Sequence, residues 1–290
     1  MSSRDGTGEA PPPAARVGDR APRDVAVFVA LVVLAVVPLF AGAHLPFYDY
    51  PAHLTVPAAL RWRGVADSHV AELWSLYPSV VPNSVHYAFT WAGSFVMSVE
   101  AASRIFVALF AVAALPLATA FTLRTFGRDW RLAVLAVPLA WNRGLWYGFV
   151  GYCAALSASL LVVALIEREL RSPSTRRAIA LGALSAVLPF LHFFVMMATV
   201  ALGAALLLLH ARAAPWRRLL RGAALLALGP LAMVPWVWSK THPEPAAAHE
   251  AIAASSGAGA GSDSLLRTRL FSTLSADALN GLAASRRLNF

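Results

Sequence analysis

The sequence predicts an all-α, polytopic membrane protein with about seven transmembrane helices, and three observations carry that expectation. Hydrophobic residues fill 58% of the 290 positions and charged residues only 13%, against roughly 45–50% and about 25% in soluble domains. The apolar residues gather into uncharged runs that approach or exceed the length needed to cross a ~30 Å hydrocarbon core at ~1.5 Å per residue. Arginines collect in short segments between those runs. The same composition excludes a disordered chain, a collagen repeat and a disulfide scaffold, and the single Cys153 carries no information on redox compartment.

Residues 1–24 are polar and rich in Pro, Gly and Arg, with Pro11, Pro12 and Pro13 in a row, and read as a disordered cytoplasmic tail. Residues 25–43 then form a 19-residue uncharged run. Its end, Ala41, Gly42, Ala43, resembles a signal-peptide cleavage site, but the apolar part of a signal peptide is usually about 7–15 residues, so a retained anchor is expected. Further runs cover 105–123, 132–166, 178–210 and 222–238. The two longest have internal breaks, at Asn142, Arg143 and Gly144 and at Pro189 to His192. Each therefore reads as a tight helical hairpin, which brings the count to seven spans. Residues 25–240 make one transmembrane module with an outer loop over 44–103, and 241–290 make a flexible extracytoplasmic tail with an Ala/Gly/Ser stretch at 246–262 and a short amphipathic end.

The positive-inside rule sets the orientation. The tail, Arg124 to Arg131, Arg168 to Arg177 and Arg212 to Arg221 fall on one side, and Arg61, Arg63, Arg104, Arg143 and Lys240 on the other. This asymmetry requires that 85–99, which contains His86 and ends at Glu100, is not a span; with Tyr87 and Trp91 it reads as a helix in the outer interface. A multi-pass protein of the cytoplasmic membrane with its N-terminus inside follows. The net charge of +9 is explained by these topological clusters, so no nucleic-acid partner is expected.

Chemistry concentrates in the loop after the first span, which runs His44, Leu45, Pro46, Phe47, Tyr48, Asp49, Tyr50, Pro51, Ala52, His53. A helix starting at Pro51 would put Asp49 near its N-cap and His53 in its first turn. The plainer alternative is that Asp49 only caps that helix and His53 is a solvated neighbour. Arg143, in a break between apolar runs, suits anion or lipid-phosphate recognition, or snorkels from an ordinary hairpin turn. His192 fits either a satisfied buried histidine or a ligand. Glu100 and Arg104 are spaced for an i,i+4 ion pair, with phosphate binding by Arg104 the lesser reading. There is no Walker A loop, dinucleotide fingerprint, HExxH or CxxC, and His44, His53, His69 and His86 match no metal spacing.

This layout resembles the GT-C superfamily of membrane glycosyltransferases, and within it the bacterial relatives of protein O-mannosyltransferases and lipid A aminoarabinose transferases. The resemblance rests on Asp49-Tyr50-Pro51-Ala52-His53, on the interfacial stretch 86–99 running into Arg104, and on Arg124-Thr125-Phe126-Gly127-Arg128 after the second span. It implies transfer of a sugar from a polyprenyl-phosphate donor to an acceptor at the outer face of the membrane, with membrane lipid as a partner. It implies Asp49 as the catalytic base, alone or with a divalent metal, and substrate binding by His53, Arg143, Arg104 and His192. A second acidic residue of the loop is expected from the family, and Asp67, Glu72 and Glu100 are the candidates. The family's C-terminal half is absent, which makes a truncated and even inactive relative an alternative. A non-catalytic transporter or an envelope-polysaccharide assembly factor is the other; against it, the polar breaks fall at helix ends and no two halves repeat.

Overall fold

The computed structural model describes residues 21–42, 44–65, 68, 70 and 81–241. Outside them lie the expected tail over 1–20, the 246–262 stretch, the amphipathic end at Phe290, and Asp67, His69 and Glu72. The described residues form helices and turns with no strand. The chain divides into two units, Met1–Trp236 and Val237–Phe290; of the second, the described part is the end of a short helix.

Helix α1 (Ala21–Val36) tightens into a 3₁₀ turn (Val37–Phe40) at Pro38. After a short extended passage come α2 (Tyr50–Trp62) and α3 (Val85–Gly93). The long α4 (Val99–Thr125) carries a π-helical stretch, Val107–Ala113, which closes just before Pro116, a residue with no N–H to offer a regular ladder. A 3₁₀ segment (Trp130–Leu135) leads into the one-turn helices α5 (Ala136–Leu139) and α6 (Arg143–Trp146). The described residues continue as α7 (Val150–Arg171), α8 (Thr175–Leu191), α9 (Phe193–His210), α10 (Trp216–Ala232) and α11 (Val234–Thr241).

Five stretches among the described residues are long and apolar enough to cross a membrane: Pro22–Phe40, Val99–Thr125, Val150–Arg171, Phe193–His210 and Trp216–Ser239. The remaining two expected spans are shorter. Helix α8 has 17 residues and opens with Arg176 and Arg177. The leg from Trp130 to Leu139 covers about 18 Å, since six of its residues rise ~2.0 Å and four rise ~1.5 Å each. The stretch expected in the interface is the nine-residue α3, too short to span.

Helix α7 is the most buried of the five long stretches and forms the axis of the core. Its buried face is made of small side chains, Cys153, Ala154, Ala155, Ser157 and Ala158, so neighbouring backbones come close, as helices packed without a hydrophobic driving force require. Gly151 is the tightest instance: a Cβ there would sit 2.6 Å from the Leu191 carbonyl oxygen.

Polar contacts separate into two ends. At the loop end, Tyr48 N–H donates to the Trp146 carbonyl at 3.0 Å and Trp141 Nε1–H to the Ala35 carbonyl at 3.0 Å. Asn83, in the left-handed region (φ 63°), enters the break between α8 and α9, where its N–H reaches the Pro189 carbonyl and its Oδ1 accepts from Phe193 N–H at 3.2 Å. At the arginine end, Asp24 pairs with Arg131 at 2.7 Å, Arg171 donates to the Thr125 carbonyl at 3.0 Å, and Arg218 donates to the Leu170 carbonyl at 3.0 Å. Two buried carboxylates sit among these cations. Glu167 pairs with Arg171 at 2.6 Å and faces His210 at 3.4 Å, and Glu169 pairs with Arg221 at 3.0 Å and accepts from Ser174 N–H.

The turn Arg124 to Arg128 closes α4 with Gly127 at φ 68° and Arg128 N–H on the Leu123 carbonyl at 2.8 Å. This is a left-handed glycine stop.

Gly151→Ala is expected to destabilise the detergent-solubilised protein by about 1–3 kcal/mol, because the Leu191 carbonyl cannot yield without moving α8. Gly64→Ala, whose new Cβ meets nothing within 4 Å, is expected to leave the thermal midpoint in place. Parallel melts of the two variants check this.

Candidate functional site

The site is built on the start of α2. Pro51 in the first turn favours initiation there, and Asp49 takes the N-cap position. The backbone of Asp49 is clamped from the side: its N–H donates to the Tyr147 carbonyl at 3.2 Å, next to the bond from Tyr48 to Trp146. Gly148 makes the clamp sterically feasible. It stands at φ 87°, and a Cβ there would meet Tyr50 N at 3.0 Å and Asp49 N at 3.1 Å. The Asp49 side chain, however, makes no capping hydrogen bond. It is half-buried and, among the described residues, its carboxylate has neither a hydrogen bond nor a salt bridge.

One turn on, His53 Nδ1 lies 2.7 Å from Tyr87 Oη. Burial pushes this imidazole below its ordinary value, opposed by the nearby Asp49, and burial raises the Tyr87 phenol. The pair is therefore a neutral hydroxyl–imidazole contact. Behind it, His86 is 3% exposed and its Nε2 sits 2.7 Å from Ser103 Oγ. Burial, and next the neighbouring His53, push His86 down from 6.5 to about 3. The Tyr50 hydroxyl is buried near Ser103 with no hydrogen bond of ordinary geometry, and burial pushes it up to about 12. His53, His86, Tyr87, Tyr50 and Ser103 thus form an uncharged polar cluster beside Asp49.

The other expected residues border this cluster. Arg104 makes the i,i+4 pair with Glu100 at 3.0 Å and donates to the Gly42 carbonyl at 2.8 Å, while Glu100 also meets His44 Nδ1 at 3.1 Å. Arg143 is exposed on α6; it donates to Tyr147 Oη at 2.9 Å and its guanidinium lies 5.1 Å from that ring's centre. Asn142 caps α6 by accepting from Leu145 N–H. His192 caps α9, its Nδ1 accepting from Val195 N–H at 3.4 Å, and its ring is edge-on to Tyr152 at 5.3 Å. Because Nδ1 accepts, the proton of the neutral ring sits on Nε2.

All five expected residues therefore lie at the loop end. Asp49 and His53 share a turn, and Arg143 joins Asp49 through Tyr147. His192 joins through Tyr152, which stands beside Gly144, and Arg104 secures the mouth of α1. Of the candidates for a second acidic residue, Glu100 is committed to Arg104. Sequence reading did not assemble the His86–Ser103 contact or place Asn83, since both depend on pairings distant in the chain; the one signal was a histidine inside an apolar stretch. Among the described residues no three His, Cys, Asp or Glu side chains converge to hold a metal ion, and His53 Nδ1 is already taken by Tyr87. The described side chains do not build a resident metal site.

His86 binds its proton far less readily folded than unfolded, so its contribution to stability is complete above about pH 6.5 and is lost as pH falls toward 3. The depressed His53 acts in the same direction, with Asp49 opposing. The thermal midpoint should fall between pH 7 and 5, and His86→Phe should flatten that slope.

No protein-family model, no curated protein and no solved structure matches the chain, so the functional reading rests on its own residues.

Proposed function

We propose that this chain is an integral membrane glycosyltransferase of GT-C type, which moves a sugar from a polyprenyl-phosphate carrier to an acceptor at the outer face of the membrane. The observation that carries the reading is the Asp49 carboxylate: half-buried, at an N-cap position, yet not spent on capping or on an ion pair among the described residues. A carboxylate held this way has its lone pairs available. It takes the proton of the acceptor hydroxyl as that oxygen attacks the anomeric carbon, and the carbon–oxygen bond to the carrier phosphate breaks with inversion.

The leaving phosphate requires donors. Arg143 has N–H groups beyond the one used by Tyr147, and His192 has Nε2–H once Nδ1 is occupied. His53 stays neutral beside Asp49 and orients the acceptor without competing for the phosphate. Arg104 fixes the start of the outer loop through the Gly42 carbonyl and Glu100, beside the cluster at Asp49.

The orientation is part of the reading. The N-terminus is cytoplasmic, the loop end faces out, and α8 and the Trp130-to-Leu139 leg complete seven crossings. The mutual contacts of the three loops assigned outside support this, as does the meeting of the basic turns at the opposite end.

Asp49→Asn should lower sugar transfer by about 10²–10⁴-fold, the usual worth of a general base, at normal protein level; mass spectrometry of the glycan product in a complemented strain reads it, and unchanged product removes Asp49 as base. For topology, Cys153 is buried and silent. Tyr48→Cys, 81% exposed, should react with a membrane-impermeant maleimide in intact cells, and Ala211→Cys only after permeabilisation. The reverse pattern would invert the assignment.

A further inference from the structure

At the arginine end the cations are not treated alike. Arg171, Arg177 and Arg221 stand against the buried Glu167 and Glu169, and Arg131 against Asp24. Arg124 and Arg168 have no such partner among the described residues. Instead, both line one cleft of about 390 Å³ together with Phe121 and Thr125, a volume within the ~300–1,000 Å³ of ligand pockets.

Each guanidinium lies over an aromatic ring. Arg124 lies 4.8 Å from the Trp130 ring centre and Arg168 lies 5.1 Å from that of Phe121. A guanidinium that rests on a ring and pairs with no carboxylate keeps N–H donors for an anion such as a phosphate. The Thr125 hydroxyl donates to its own helix, to the Phe121 carbonyl at 2.9 Å, so the two arginines are the donors left for a ligand in the cleft. The cleft lies where the apolar helices α4 and α7 end, the depth of a lipid headgroup, and its Phe121 wall continues into their apolar surface.

We propose that this cleft is a phospholipid site, in which Arg124 and Arg168 grip the phosphate of an anionic headgroup while an acyl chain follows Phe121 along α4. The site lies at the end of the molecule opposite Asp49 and does not depend on the glycosyltransferase reading.

The test is native mass spectrometry of the full-length protein in detergent, titrated with phosphatidylglycerol and, in parallel, with phosphatidylcholine. The wild type should retain discrete phosphatidylglycerol adducts and few phosphatidylcholine adducts. R124Q/R168Q should weaken phosphatidylglycerol retention on the order of 100-fold, the loss expected of two charge-assisted hydrogen bonds to the phosphate. R212Q/R217Q, which removes two exposed cations from the same end, should change it less than threefold, on the order of general screening. Equal losses in the two double variants would mean diffuse surface attraction and overturn the site. The lipid assignment also falls if millimolar inorganic phosphate raises the thermal midpoint of lipid-free protein as much as phosphatidylglycerol does. A misfolded R124Q/R168Q would show as a lowered midpoint without lipid; R124K/R168K, which keeps charge and loses the fork, then replaces it and should lose headgroup selectivity.

Discussion

Lipid offers no hydrogen bonds, so each peptide group in the bilayer must find its partner within the protein. Most of this chain meets that demand with uninterrupted helices. Where it does not, at residues 140–149 and at His192, the exposed peptide ends are taken up by other loops. Asn83 fills the gap between α8 and α9, Asn142 caps the one-turn helix after it, and Trp141 reaches across to the end of α1. At the loop end the irregular backbone is satisfied because several loops meet there.

This concentration builds the candidate site. Loops that satisfy one another also hold their side chains in fixed relation, so Asp49, His53, Arg143 and His192 stand at the same end although they span 144 positions of sequence. The two ends of the bundle use different physics. The loop end relies on neutral contacts, His53 with Tyr87 and His86 with Ser103. The arginine end relies on two buried carboxylates that hold Arg171, Arg177 and Arg221 from three helices, with His210 beside Glu167. A buried charge with a partner removed is costly, so those pairs define the register of α7 against its neighbours.

Much of the fold was legible in the sequence, and for identifiable reasons. Uncharged runs mark the long helices because nothing else places 19 or more apolar residues in a row. Asp49 followed by Pro51 marked the start of α2 because proline's fixed φ suits the first turn. The arginine turns marked one end. In the run 132–166, counting apolar residues cannot reveal that a 3₁₀ segment, two one-turn helices and a broken turn occupy its first half. The candidate residues were readable one by one, but their arrangement was not. Glu100 and Arg104, four apart on one helix, were readable as a pair. The pairings of His86 with Ser103 and of Glu167 with His210 join separate elements, and local pattern does not encode them.

The hold on Asp49 is main chain on main chain, finished by a single glycine at 148. Such a grip is indifferent to what side chains stand at 146 and 147. Substitutions at those two positions would reline the surrounding surface while the main chain of Asp49 kept its address. A variable surface and a fixed backbone would then be properties of one short turn.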